Sequence, residues 1–130
     1  MTLAFDGPAV VGALAALDKF MRALNAGDEA GVNDAFNFPH VRLASDTVTS
    51  WEKRGDYKLE RFYARAGEGW AESRWDVRRV IHAEPHKVHL DVQFSRWRRD
   101  GTTLGRFRSI WVVTNQAGHW GVQARSSFAA

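Results

Sequence analysis

An α+β fold is predicted for this chain by a change of hydrophobic period near its middle. Between Val10 and Leu24 apolar residues recur at helical spacing, whereas residues 70–128 alternate with period two. Two turn signals, Asp100-Gly101 and Asn115-Gln116-Ala117-Gly118, cut that second stretch into three long strands. One antiparallel register aligns the apolar faces of all three, and a one-residue slip would scramble it. A bent sheet of this kind, with helices on one face, makes a cone with a pocket.

Each element has its own signal. Asp6-Gly7-Pro8 opens the first helix, with an acid near the cap and proline in the first turn. Val10, Leu14, Leu17, Met21 and Leu24 form its apolar stripe, with Phe20 at the edge, and Gly27 ends it. Asp28 is placed to cap a short second helix running to about Phe36. A β-like segment, Phe38–Leu43, is followed by a Ser45-Asp46 turn and a second short strand, Val48–Trp51. Asp56 is expected to cap a third helix whose Leu59, Phe62, Tyr63 and Ala66 face one way, with Gly67 as its stop.

A two-residue turn at Asp100-Gly101 pairs Trp97 with Leu104, Phe94 with Phe107, Val92 with Ser109, Leu90 with Trp111 and Val88 with Val113. The four-residue turn at Asn115–Gly118 then sets Val113 opposite Trp120, Trp111 opposite Val122 and Ser109 opposite Ala124. Running back through Pro85-His86 adds Trp75, Val77, Ile81 and Ala83 to the same face, and alternation also places Arg79 and Arg96 there. The opposite face collects Arg74, Asp76, Arg78, His89, Asp91, Gln93, Arg106, Arg108, Gln123 and Arg125. A bulge at either turn would change this register locally.

The chain has 130 residues, 45% hydrophobic and 25% charged, which fits one globular domain over residues 1–130. It contains no cysteine, which removes disulfides, thiolate nucleophiles and cysteine metal sites and suits a cytoplasmic protein. The apolar run Ala9–Leu17 follows Asp6 rather than basic residues, and it is far shorter than the ~20 residues of a membrane span. The net charge of +3 and pI near 9.7 come mostly from arginines lying within a few residues of an acid, so neither a nucleic-acid nor a membrane partner is expected. His82, His86 and His89 cannot all share a strand face, and no metal site or cofactor is expected.

The order of helix, short helix, strand pair, third helix and three long strands resembles the nuclear transport factor 2-like superfamily, and the wording resembles its bacterial polyketide-cyclase-like (SnoaL-like) members. The strings that carry the likeness are Ala23–Asp28, Phe38–Leu43, Arg96 through Gly101, Ile110–Thr114 and Gly118-His119-Trp120. The resemblance implies a cone-shaped, curved antiparallel sheet wrapped around a long N-terminal helix with two shorter ones, of cystatin-like type. It also implies an apolar cavity and homodimers packed through the outer sheet face. It implies no single activity. Cavity enzymes of that family use carboxylates inside the cone. Here Asp76 and Asp91 fall outside, and Phe38 stands before Pro39 where an isomerase-like aspartate would.

His40 is the candidate general acid or base, provided that it faces the cavity. Alternation sets Phe38, His40 and Arg42 on one side and the more apolar Pro39, Val41 and Leu43 on the other, so either orientation stands. Arg96 is the candidate anion anchor, and Ser109 and Ser126 are candidate donors to a ligand carbonyl. Trp75, Phe94, Phe107, Trp111 and Trp120, with Tyr63 from the third helix, supply the expected aromatic lining, and Trp51 and Trp70 the mouth. These residues predict a small-molecule-binding domain with a mainly apolar pocket, taking a small apolar or carbonyl-bearing molecule. An isomerase-, dehydratase- or cyclase-like proton-transfer enzyme is its catalytic form. The alternative is a non-catalytic homodimeric association module working through Trp97, Leu104, Ile110 and Val112 on the outer sheet face.

Overall fold

The architecture is that of a computed structural model describing residues 7–129. Helix α1 spans Pro8–Asn25 behind an N-cap at Gly7 that offers no side-chain acceptor; Asp6 lies outside the described residues. Ala13, Ala16, Leu17, Phe20, Ala23 and Leu24 form its buried face, while Leu14 and Met21 are only half-buried. The small alanines let the sheet approach closely, so the inward stripe is rotated from the large-residue pattern. The amides of Gly27 and Asp28 bond Leu24 and Ala23 carbonyls across a left-handed Gly27 (φ +66°), closing the helix. Helix α2, Glu29–Asp34, is capped by Asp28, whose carboxylate accepts the Gly31 amide at 3.0 Å.

Phe36 starts strand β1 (Phe36–Ala44) instead of ending α2, and β2 covers Thr47–Trp51. Helix α3, Leu59–Ala66, is capped at Lys58 rather than Asp56. The Asp56 carboxylate is taken by the Lys53 amide (3.1 Å), and Glu29 of α2 accepts the Leu59 amide at 2.9 Å in its place. Leu59, Phe62 and Ala66 are buried, but Tyr63 is turned outward. Strands β3 (Trp70–Glu84), β4 (Lys87–Arg98), β5 (Thr103–Gln116) and β6 (His119–Ser127) complete one six-stranded sheet of order β2-β1-β6-β5-β4-β3. The sheet is antiparallel except for the β1–β6 pairing, which is parallel.

Between β4 and β5 the expected register holds: Val88 faces Val113, Leu90 Trp111, Val92 Ser109 and Phe94 Phe107. Nearer the hairpin tip Trp97 faces Thr103 rather than Leu104, because the ladder shifts after Arg96. The β5–β6 register differs more. Gln116 pairs with His119, so the turn is only Ala117-Gly118, both at positive φ (52° and 91°), and Val113 faces Val122 rather than Trp120. A further shift between Val112 and Val113 sets Trp111 opposite Arg125 and Ser109 opposite Ser127. Arg125 and Ser127 therefore share the inner face, displacing the expected Ala124 and Ser126.

Shifts in β3 have the same effect. Val77 faces Gln93 and is exposed, Val80 opposite Leu90 takes the inward position, and Arg79 pairs with Asp91 on the outer surface. Arg78 turns to the helix side and bonds Asp18 of α1 at 2.5 Å.

The core lies between α1 and the concave side of the sheet, with Leu17 and Phe20 packed against Leu90, Trp111, Val113 and Val122. Trp120, expected in the lining, covers α1 instead. A Cβ on Gly12 would lie 2.3 Å from its indole. At Gly121 the parallel pair closes so tightly that a Cβ would lie 2.6 Å from the Phe36 carbonyl carbon. Gly121→Ala is therefore expected to part β1 from β6 and cost about 1–3 kcal/mol, read as a lower urea midpoint. Among the described residues no helix is long and apolar enough to cross a membrane.

Candidate functional site

A cavity of about 30 Å³ lies inside the cone, bounded by α1, α3 and the concave face of the sheet. That is room for roughly two waters, or for one group of carboxylate size, because a buried water occupies about 10–15 Å³ by the same measure. Its apolar wall is Phe20 and Leu24 from α1, Phe62 from α3, and Trp75, Phe94 and Trp111 from β3, β4 and β5. Met21, Arg65 and Trp75 are the half-buried members, so the opening lies between α1, α3 and β3.

Four guanidinium groups border this space: Arg42 from β1, Arg65 from α3, Arg96 from β4 and Arg125 from β6. The described lining contains no aspartate, glutamate or histidine. Arg96 sits among the rings of Phe107, Phe62 and Phe94 at 5.0, 5.5 and 5.7 Å, a geometry in which ring faces replace part of its lost hydration. Arg42 donates to the Ala129 carbonyl at 3.0 Å, and Arg65 to the Tyr57 hydroxyl at 3.1 Å. Arg42, Arg65 and Arg96 each have further interactions of their own.

Arg125 is held differently. It is 5% exposed, its Nε donates to His40 Nε2 at 3.0 Å, and its Nη2 is buried with no hydrogen-bond partner. Burial pulls Arg125 down to about 9 against the support of the Tyr57 phenol, with Arg65 and Arg42 adding repulsion. Burial, followed by repulsion from Arg65, brings Arg42 and Arg96 to about 10. All three stay charged at neutral pH, so the protein confines like charges in a low-dielectric space.

His40 is fully buried, stacked on Phe36 with ring centroids 3.8 Å apart. Because Arg125 can only donate, His40 Nε2 must accept, and Nδ1 then carries the proton that it donates to the Val122 carbonyl at 2.7 Å. Burial, reinforced by Arg125, holds its pKa well below the usual histidine value. The imidazole is thus neutral, with both nitrogens engaged and neither facing the cavity. It orients Arg125 instead of meeting a ligand.

Of the residues expected from the sequence, Trp75, Phe94, Arg96, Ser109 and Trp111 line the cavity together. Phe107 lies one layer back, beneath Arg96 and against Phe94. Trp51 backs His40 and Tyr57, with ring centroids 5.5 and 5.2 Å away. Tyr63 stands outside against Trp70, and Ser126 is exposed, its place taken by Ser127. Trp70 binds the Ser73 hydroxyl at 2.9 Å. Arg42, Arg65, Ser73 and Ser127 were not expected in the lining, and Arg125 was expected on the opposite face. Arg42 shares strand parity with His40 and was within reach, but the positions of Arg125 and Ser127 depend on a bulge with no sequence signature.

A curved mixed sheet wrapped on one long helix around a single-ended cavity is the cystatin-like, nuclear transport factor 2-like class of fold. The chain belongs to the NTF2-like protein family (DUF6841), whose description matches residues 13–127. Among solved structures it is similar to a protein of unknown function with a cystatin-like fold from Nostoc punctiforme (11% identity, TM-score 0.74, covering 92% of this chain and 90% of that one). It is also similar to a Catenulispora acidiphila protein in complex with S-DNPA (17%, 0.71, 92% and 92%). A third is a ketosteroid isomerase-like protein from Erwinia carotovora atroseptica (11%, 0.68, 95% and 97%). At these identities the likeness concerns the fold. No curated protein matches the chain.

Proposed function

We propose that this domain binds a small molecule whose head group enters the cone. One observation carries the reading: six aromatic or aliphatic walls and the guanidinium of Arg125, one of whose buried nitrogens has no hydrogen-bond partner, border the same small space. Buried polar groups are nearly always satisfied, and an apolar cavity bordered by a few polar groups is how small-molecule sites are commonly built. The Catenulispora acidiphila neighbour, solved in complex with S-DNPA, supports ligand binding by a protein of this fold. Binding fits this lining better than proton transfer, since the described residues around the cavity offer cations and hydroxyls but no base. Native mass spectrometry of the purified protein is expected to show an added small mass that leaves on denaturation. A bare chain mass that no added small molecule shifts would defeat the reading.

Self-association through the outer sheet face is the second reading, favoured by Val77 and Ile110, both exposed on that surface opposite Gln93 and Asp91 of β4. Ile110→Glu is then expected to lower the sedimentation mass from dimer to monomer. A monomeric parent protein would end it. The cysteine-free chain suits a cytoplasmic setting for either role.

A further inference from the structure

We propose that helix α3 is a lid on the cone and that Tyr63 is the clasp that holds it shut. This deepens the binding reading by naming how its site is reached, and it rests on that reading. The closed cavity of about 30 Å³ has room for little more than two waters, so a bound molecule with any body needs one wall to give. The sheet resists, because β3, β4, β5 and β6 are joined side by side in continuous ladders. Helix α1 resists as well, being buried along one side from Ala13 to Leu24.

Helix α3 is the remaining wall, and it is held lightly. Among the described residues its main chain reaches another element only at Leu59, whose amide bonds Glu29 of α2. Asn33 fixes the chain just before it, accepting the Tyr57 amide at 3.3 Å and donating to the Tyr57 carbonyl at 3.0 Å, so that end is the pivot. Behind the helix, Gly67 and Gly69 stand at positive φ (113° and 82°), a pair of residues that change conformation at little cost.

Two adjacent side chains of α3 grip one indole. Phe62 lines the cavity and meets Trp70 edge-on, with ring centroids 5.1 Å apart, while Tyr63 packs on the same indole from outside at 5.8 Å. The indole is itself pinned by its bond to the Ser73 hydroxyl. Tyr63 also reaches the turn at the end of α1, where a Cβ on Gly27 would lie 3.5 Å from its hydroxyl. It therefore joins α3 to β3 and to the end of α1, the elements that frame the opening. Yet it is 46% exposed and lies outside the core. A surface aromatic placed in this way stabilises the closed lid more than the fold as a whole.

The test uses the absence of cysteine from the chain. Ser109→Cys sets a single thiol deep in the cavity, and Val113→Cys, in a separate chain, sets one in the core away from the lining; both positions are buried. Iodoacetamide labelling, followed by mass, is compared with and without Tyr63→Ala. Loss of the clasp is expected to speed labelling at position 109 by about tenfold or more and to leave position 113 within about twofold. Tyr63→Phe keeps the ring and is expected to keep the slow rate. No gain at position 109 would overturn the lid, and so would an equal gain at both positions, since the whole fold would then have loosened. Amide hydrogen exchange of the chain without any thiol gives an independent reading. There Tyr63→Ala is expected to speed exchange at residues 64–66 by about tenfold and leave Leu90 and Val92 unchanged, and unaltered exchange in α3 would overturn the proposal. Neither readout involves a ligand, so a failed lid and a failed binding site are told apart.

Discussion

Arg125→Met is expected to make the folded protein more stable, by about 1–3 kcal/mol. The reasoning starts from what burial does to a guanidinium. Arg125 is almost completely enclosed, one of its nitrogens has no partner, and Arg42 and Arg65 repel it. Against this stand one hydrogen bond to a neutral imidazole, the Tyr57 phenol and the faces of Phe36 and Trp111 at 5.3 and 5.5 Å. The fall of its pKa to about 9 shows which side prevails: the folded environment disfavours the charged form. Methionine fills similar volume, keeps contact with the rings and removes the desolvated charge. Its cost is a lost donor to His40, roughly 1 kcal/mol. A rise in the urea midpoint at unchanged m-value checks this. A clear drop would mean that the cation is there for the fold and not for a ligand.

His40→Ala is expected to act in the opposite direction and more strongly, costing about 3–5 kcal/mol. It would strand the Val122 carbonyl, remove the acceptor of Arg125 Nε and leave a void beside Phe36 and Trp51. Most of the cost comes from the abandoned charge, so in a double-mutant cycle Arg125→Met should recover more stability in the His40→Ala background than it adds alone, by at least about 1 kcal/mol. Strict additivity would disprove the coupling. The same residue sets a pH response. The folded imidazole stays unprotonated, faced by Arg125 from β6 and Arg42 from β1, whereas the unfolded one titrates normally near 6.5. Below that pH the unfolded chain binds the extra proton, so stability falls as the medium is acidified from about pH 6.5 toward the depressed folded value. The slope is at most ~1.4 kcal/mol per pH unit for one proton. Half-buried His89 is shifted the same way by desolvation, so the contribution of His40 is read as the part of the slope lost in His40→Gln.

Much of the fold was legible because its signals are local. The Gly27-Asp28 boundary and the Asp100-Gly101 turn depend on residues a few positions apart, and an alternating strand fed from that tight turn has one register that buries its large residues. Phe94 opposite Phe107 and Leu90 opposite Trp111 follow from that alone. The cap of α3 did not, since Glu29 reaches Leu59 across 30 residues and leaves Asp56 to a turn of its own. The orientation of β1 was not readable from apolarity either. His40 and Arg42 point inward while Leu43 is exposed, because the interior here is polar at that end.

What the chain order and periodicity determined by themselves was an α+β cone, the faces of β4 and most of β5, and an aromatic wall from Trp75, Phe94 and Trp111. Only the tertiary structure decided that the wall encloses converging arginines and that His40 stands behind one of them. The reason is parity. Each ladder shift in β3 and β6 exchanges inside for outside along the rest of the strand, turning Val77 out and Arg125 in. Such a shift is chosen by how the whole sheet curves around α1, which no short window of residues records.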